Sequence, residues 1–160
     1  MAVLDHAIWL SGDGFAEGGT TTITEGGNST TITGSFTANS WDATANGTGV
    51  SDFGAAFVDQ PVTADYSFSN PVENLSFAIE HVNGQEPNLD DFWTIAAYDE
   101  NGVLIPAADV IAALGNVQDE FITTNPDGTV SINSAGTTAN DITVNLPGPV
   151  SQISLTYENG

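Results

Sequence analysis

The sequence predicts an all-β protein, an antiparallel β-sandwich with jelly-roll-like connections and one short helix near residues 107–114. Apolar and polar residues alternate in several runs, as at Leu75, Phe77 and Ile79, which is the period of a strand with one buried face. Turn signals separate these runs at short intervals, which favours hairpins over parallel β–α–β units. The 160 residues are predicted to form a single domain, residues 1–160.

The clearest strand predictions lie between residues 62 and 105. Asn70 and Pro71 are predicted to turn the chain between two alternating runs, because proline fixes φ and cannot donate a hydrogen bond to a neighbouring strand. The sequence Asp-Glu-Asn-Gly at residues 99–102 then predicts a hairpin turn. These signals place antiparallel strands on both sides of each turn.

Other segments give weaker predictions. The Thr-rich runs 20–24 and 29–33 predict a hairpin at a sheet edge, since each run contains one large apolar residue. Pro106 and Gly115 bracket the predicted helix, because proline is favoured at a helix start and glycine after its end. Residues 117–123 are predicted to return to strand.

Two segments of the chain resemble each other without gaps, residues 71–80 and residues 149–158. Each begins Pro-Val, continues with alternating apolar residues and ends in Glu. The likeness indicates either an internal two-fold repeat or two similar hairpins that are not related by a repeat. Both interpretations give hairpins in an antiparallel sandwich.

The composition has one extreme feature, the absence of Lys and Arg beside 21 Asp and Glu residues, which gives a formal net charge of −21. Every carboxylate must therefore face water, accept hydrogen bonds or bind a cation. Nucleic acid is excluded as a partner and anionic membrane surfaces are disfavoured, because both interactions need Lys or Arg. Membrane insertion is not expected, since no apolar run reaches the length of a span. The 40% hydrophobic content with regular alternation predicts a folded chain rather than a disordered one.

Three stretches carry a resemblance to a known family: PVENLSFAI at residues 71–79, WTIAAYDENGV at residues 93–103 and GPVSQISLTYENG at residues 148–160. The chain resembles the β-sandwich modules of large type I-secreted, calcium-dependent bacterial surface proteins with RTX repeats. The resemblance implies a secreted, cell-surface module of an adhesin or matrix protein that binds calcium. Such a module acts in adhesion or as a structural spacer, and its partner is a glycan or a neighbouring module of the same protein. Residues 2–10 lack the basic region of a signal peptide, so we expect either a module of a longer protein or an export signal elsewhere.

The acidic loop that follows the first of these stretches predicts a calcium site. Calcium binds six to eight oxygen atoms and tolerates irregular loops, although a solvated acidic loop is the alternative. The family often carries Asp-x-Asp where this chain has His81, Val82 and Asn83, and the acids across the loop are the substitutes for those two ligands. The candidate ligands are oxygen-bearing side chains of this loop, with a second pair nearer the N-terminus: Asn83, Glu86, Asp90 and Asp91, then Asp13 and Glu17.

No enzymatic activity is predicted. His6 and His81 lack further zinc ligands nearby in the sequence, and no Gly-x-Ser-x-Gly sequence marks a serine nucleophile. Trp93 is expected in the core, whereas Trp41, in a polar stretch, either stacks on a sugar ring or covers one end of the sandwich. The alternative functions are therefore a carbohydrate-binding module and a self-assembling filament or surface-layer subunit that pairs through an edge strand.

Overall fold

A computed structural model describes residues 20–25, 28–36, 61–80, 91–133 and 141–159. Within these ranges the chain forms ten β-strands, one α-helix and one turn of 3-10 helix. The strands are β1 Thr20–Glu25, β2 Asn28–Phe36, β3 Val62–Val72, β4 Leu75–Glu80, β5 Asp91–Asp99, β6 Leu114–Gly115, β7 Ile122–Thr124, β8 Val130–Asn133, β9 Asp141–Leu146 and β10 Val150–Asn159. The helix α1 is Ala107–Ala112, and the 3-10 turn is Asp119–Phe121.

The strands form two antiparallel sheets. The large sheet has the order β1-β2-β3-β10-β5-β8-β7, and the small sheet has the order β4-β9-β6. The predicted all-β sandwich with one short helix is confirmed, and the predicted Thr-rich hairpin is the β1–β2 pair at the edge of the large sheet as far as it is described. Among the described residues, no helix has the length and apolar character needed to cross a membrane.

Both sheets bury side chains in one common core. The buried side chains are the apolar residues that alternate along each strand. Phe77 and Ile79 of β4 therefore lie in the same cluster as Ile95 of β5. Trp93 is buried as predicted, and its ring centroid lies 5.2 Å from that of Tyr157 at an interplanar angle of 54°. This tilted contact of two large rings fills the core beside the start of β5.

The chain crosses from one sheet to the other at two places, and the strands that flank these crossings pair with each other in each sheet. Glu73 and Asn74 lead from β3 in the large sheet to β4 in the small one, and residues 147–149 lead from β9 back to β10. In the large sheet β10 pairs with β3, and in the small sheet β9 pairs with β4. This crossed ribbon is the jelly-roll-like feature of the fold. Residues 71–80 and 149–158 hold corresponding positions in it, since each contains the strand that follows a crossing.

The turn predicted at Asn70 and Pro71 was placed wrongly, because β3 continues through both residues and the chain turns two residues later. The hydroxyl of Thr30 and the carbonyl of Ser29 on β2 hold Asn70 in the sheet. The turn uses Asn74 instead, whose φ of 53° lies in the left-handed region that Asn tolerates better than most residues.

Two further boundaries differ from the prediction. The helix ends at Ala112 because the next residues form β6 and pair with β9, where a Cβ on Gly115 would clash with the hydroxyl of Thr143. The strand predicted over residues 117–123 shrinks to the three residues of β7, and the 3-10 turn precedes it. The exposed acids of that turn supply no apolar alternation to hold a longer strand.

Candidate functional site

Five strand termini define one end of the sandwich. The chain leaves β4 at Glu80 and enters β5 at Asp91, and it leaves β8 at Asn133 and enters β9 at Asp141. Asn159, the last residue of β10, lies here as well, because it pairs with Asp91. We call this end, defined by these five residues, the loop end. Both connections that start here cross from one sheet to the other.

The strand register places acidic residues side by side at the loop end. Glu80 and Asp141 stand directly opposite each other in the β4–β9 pair, and Asp91 begins the central region of the large sheet. Like charges at directly opposed positions destabilise an antiparallel pair. The chain has no Lys or Arg to compensate, and a cation from solution would offset the repulsion between these two positions.

The carboxylate of Asp141 is in contact with the segment that follows β6. The Nδ2 of Asn116 donates a long hydrogen bond of 3.4 Å to Oδ1 of Asp141. Asn116 has a φ of 66°, and this left-handed conformation turns the chain away from β6 at the level of the loop end. Asp141 is partly exposed, so an ion from solvent has access to this carboxylate.

Of the predicted calcium ligands, the structure places one residue. Asp91 is the first residue of β5 and lies at the loop end. The other predicted site residues lie outside the described ranges: Asn83, Glu86, Asp90, Asp13, Glu17 and Trp41, as does His81. Across the described part of the chain, no three acidic or histidine side chains are grouped so that they could hold a metal ion.

No local sequence pattern predicted Glu80, Asp141 or Asn116 as members of the candidate site. The signal that marks the two acids is their position directly at the ends of the alternating runs that became β4 and β9. Finding the pair also requires knowing that these two strands are neighbours, and this follows from the crossed ribbon rather than from any local pattern.

Two other carboxylates have structural roles in turns. Oδ1 of Asp99 accepts hydrogen bonds from the backbone N–H groups of Val103 and Asn101, over 2.9 and 2.8 Å. Oδ1 of Asp127 accepts hydrogen bonds from the backbone N–H and the hydroxyl of Thr129, over 3.0 and 2.7 Å. The bond from the Val103 backbone lowers the pKa of Asp99, and that from the Thr129 backbone lowers the pKa of Asp127.

We expect Asp127→Ala to lower the melting temperature more at pH 7 than at pH 2.5. A carboxyl group whose pKa is lower in the folded state contributes stability above its unfolded pKa, and this contribution is lost as the pH falls through the folded pKa. Thermal melts of both proteins across this pH range measure the difference. Glu120→Ala, which removes an exposed carboxylate of the 3-10 turn, is the control for the change in charge. Equal losses for Asp127→Ala at the two pH values would contradict the expectation.

Comparison of the chain with protein-family models, with curated proteins and with solved structures gave no match. The function is therefore inferred from the chain itself: from its charge and from the residues at the loop end.

Proposed function

We propose that the chain is a non-enzymatic, calcium-stabilised β-sandwich module of a secreted bacterial surface adhesin or matrix protein, in which it acts in adhesion or as a structural spacer. The observation that supports this most directly is the direct opposition of Glu80 and Asp141 at the loop end of a chain without Lys or Arg. Folding brings these acids together, and a cation bound there makes folding more favourable.

Calcium fits the donor set better than a transition metal does. The chain has no cysteine, and the residues at the loop end carry carboxylate and amide oxygens, which are the ligands that a hard cation prefers. In this proposal Glu80 and Asp141 of the small sheet and Asp91 of the large sheet are ligands. The loop between Glu80 and Asp91 adds oxygens from Asn83, Glu86 and Asp90. The ion then ties the two sheets together at the end where the long connections leave them.

The ion has a second role in this proposal, which is to give a highly anionic module one local positive charge. Such a charge allows contact with an acidic glycan or with the acidic surface of a neighbouring module, which the chain alone repels. A module of this kind works outside the cell, where calcium is abundant enough to saturate extracellular sites of low affinity.

The test is calcium titration by calorimetry with single-residue variants. Asp91→Ala, Asp90→Ala and Asp141→Asn are each expected to weaken calcium binding by about tenfold or more, because each removes a charged ligand or its orientation. Glu100→Ala is the matched control, because it removes an exposed carboxylate from the β5 turn beyond the opposite end of that strand.

The control variant is expected to bind calcium like the unmodified protein. If all four variants bind with unchanged affinity, the loop end is ordinary acidic surface and the site moves to Asp13 and Glu17. If Asp91→Ala and Asp90→Ala weaken binding but Asp141→Asn does not, the loop alone holds the ion and the link between the two sheets is wrong.

A further inference from the structure

The face of the large sheet that points away from the core carries hydroxyl groups in rows across the strands. One row follows the register through Thr63, Thr156, Thr94, Ser131 and Thr123, on β3, β10, β5, β8 and β7. Neighbouring strands in a sheet lie about 4.8 Å apart, so the row presents hydroxyls at a regular spacing. We call this surface the hydroxyl face.

Cross-strand hydrogen bonds fix the hydroxyl groups on β3, β10, β5 and β8. The Oγ1 atoms of Thr63 and Thr156 are 2.8 Å apart, and Oγ1 of Thr94 lies 2.8 Å from Oγ of Ser131. Nδ2 of Asn125 donates to the same Ser131 hydroxyl over 2.8 Å. Because these side chains are already ordered, binding a ligand to them costs less side-chain conformational entropy.

The central strand β5 adds a shallow trough to the hydroxyl face. Phe92 and Tyr98, both partly exposed, lie on this face about 20 Å apart along the strand, since six residues separate them. Between them lies Ala96, opposite Ser154 of β10; it is only 7% exposed, and its small side chain forms the floor of the trough. The row of Ala96 and Ser154 continues to Asp65 of β3, whose carboxylate is partly exposed. The trough is thus bounded by two aromatic side chains and lined by small and polar ones.

We propose that this trough binds a neutral polysaccharide chain. The aromatic rings stack on the C–H faces of sugar rings, and the fixed hydroxyls exchange hydrogen bonds with sugar hydroxyls. The carboxylate of Asp65 accepts hydrogen bonds from sugar hydroxyls. The charge of the chain decides the ligand class, because a protein without Lys or Arg repels a polyanion and also repels a second copy of itself. The span between Phe92 and Tyr98 suits several consecutive sugars rather than one. This site lies on the sheet face rather than at the loop end and uses no calcium ligand.

The experiment is affinity electrophoresis of the full chain in calcium-saturated buffer, in gels that contain hydroxyethyl cellulose, galactomannan, dextran or heparin. At least one neutral polysaccharide is expected to retard the protein. Any retardation by heparin is expected to be the same for the trough variants as for the unmodified protein, because the calcium ion at the loop end, and not the trough, would contact an acidic glycan. Tyr98→Ala is expected to weaken the binding about tenfold by removing a stacking face. Ala96→Gln is expected to weaken it at least as much by filling the trough. Val103→Ala, which truncates an exposed apolar side chain outside the hydroxyl face, is expected to bind normally.

Three results would overturn the inference. The first is the absence of retardation by every neutral polysaccharide, and the second is binding that both Tyr98→Ala and Ala96→Gln leave unchanged. The third is binding that Trp41→Ala abolishes while the two trough variants retain it, which would move the site to Trp41. Thermal melts show that each variant is folded, and the two trough variants test the site independently. Normal binding by a protein that calcium does not stabilise would support the trough and count only against the calcium proposal.

Discussion

Thermal unfolding in saturating calcium is expected to occur roughly 5–10 °C above unfolding in chelator, for each ion that only the folded chain binds. An ion at 100 times its Kd adds about 2.7 kcal/mol to the free energy of unfolding, and 1 kcal/mol shifts the melting temperature of a domain of this size by roughly 2–4 °C. The physical reason is the pairing of Glu80 with Asp141 in a chain with a formal net charge of −21. The measurement is a pair of melts at low ionic strength.

The control must separate specific binding from general screening, because any salt weakens the mutual repulsion of 21 carboxylates. Melts in sodium chloride of matched ionic strength, and in magnesium, supply this comparison. Calcium is expected to exceed both, since magnesium gives up its water ligands reluctantly and suits octahedral sites. Superimposable melts in calcium and in chelator would show that the calcium proposal is wrong.

Replacing Trp93 by alanine is expected to lower the free energy of unfolding by about 3–5 kcal/mol, the cost typical of truncating a large buried aromatic side chain. Trp93 is 4% exposed and packs against Tyr157 in the core that both sheets share. Urea unfolding followed by circular dichroism measures the loss, since the tryptophan signal itself is altered by the variant.

The matched control for Trp93→Ala is Val103→Ala in the turn after β5. Val103 is 59% exposed, so its truncation is expected to change the free energy of unfolding by less than about 0.5 kcal/mol. Similar losses of unfolding free energy for the two variants would mean that Trp93 lies at the surface rather than in the core. That result would contradict the packing of β5 against the small sheet.

The sandwich was predictable because its strands obey the local rule of alternation. Leu75, Phe77 and Ile79 are spaced two residues apart in the sequence, so a strand places them on one face, and they are buried together in the structure. The turn over residues 99–102 was predictable for a similar reason, since Gly102 supplies the φ of 72° that this position needs. Both signals lie within a few residues of the feature that they predict.

The candidate site was predictable only in part, because it depends on contacts between distant parts of the chain. Asp91 belongs to an acidic loop that is visible in the sequence, but its neighbour Asn159 comes from the last strand. Asp141 reaches Glu80 only because β9 pairs with β4. The same cause moved the turn from Pro71 to Asn74, since β2 and β10 decide where β3 ends.

The crossed ribbon has a consequence for how the chain folds. β10, the last strand in sequence order, lies in the middle of the large sheet between β3 and β5, so neither partner can complete its ladder before residues 150–159 are present. Contacts of this kind join residues far apart in sequence, such as Thr63 and Thr156, and closing such long loops makes folding slow. A partly synthesised chain therefore keeps open strand edges, and its large negative charge repels other copies during that delay.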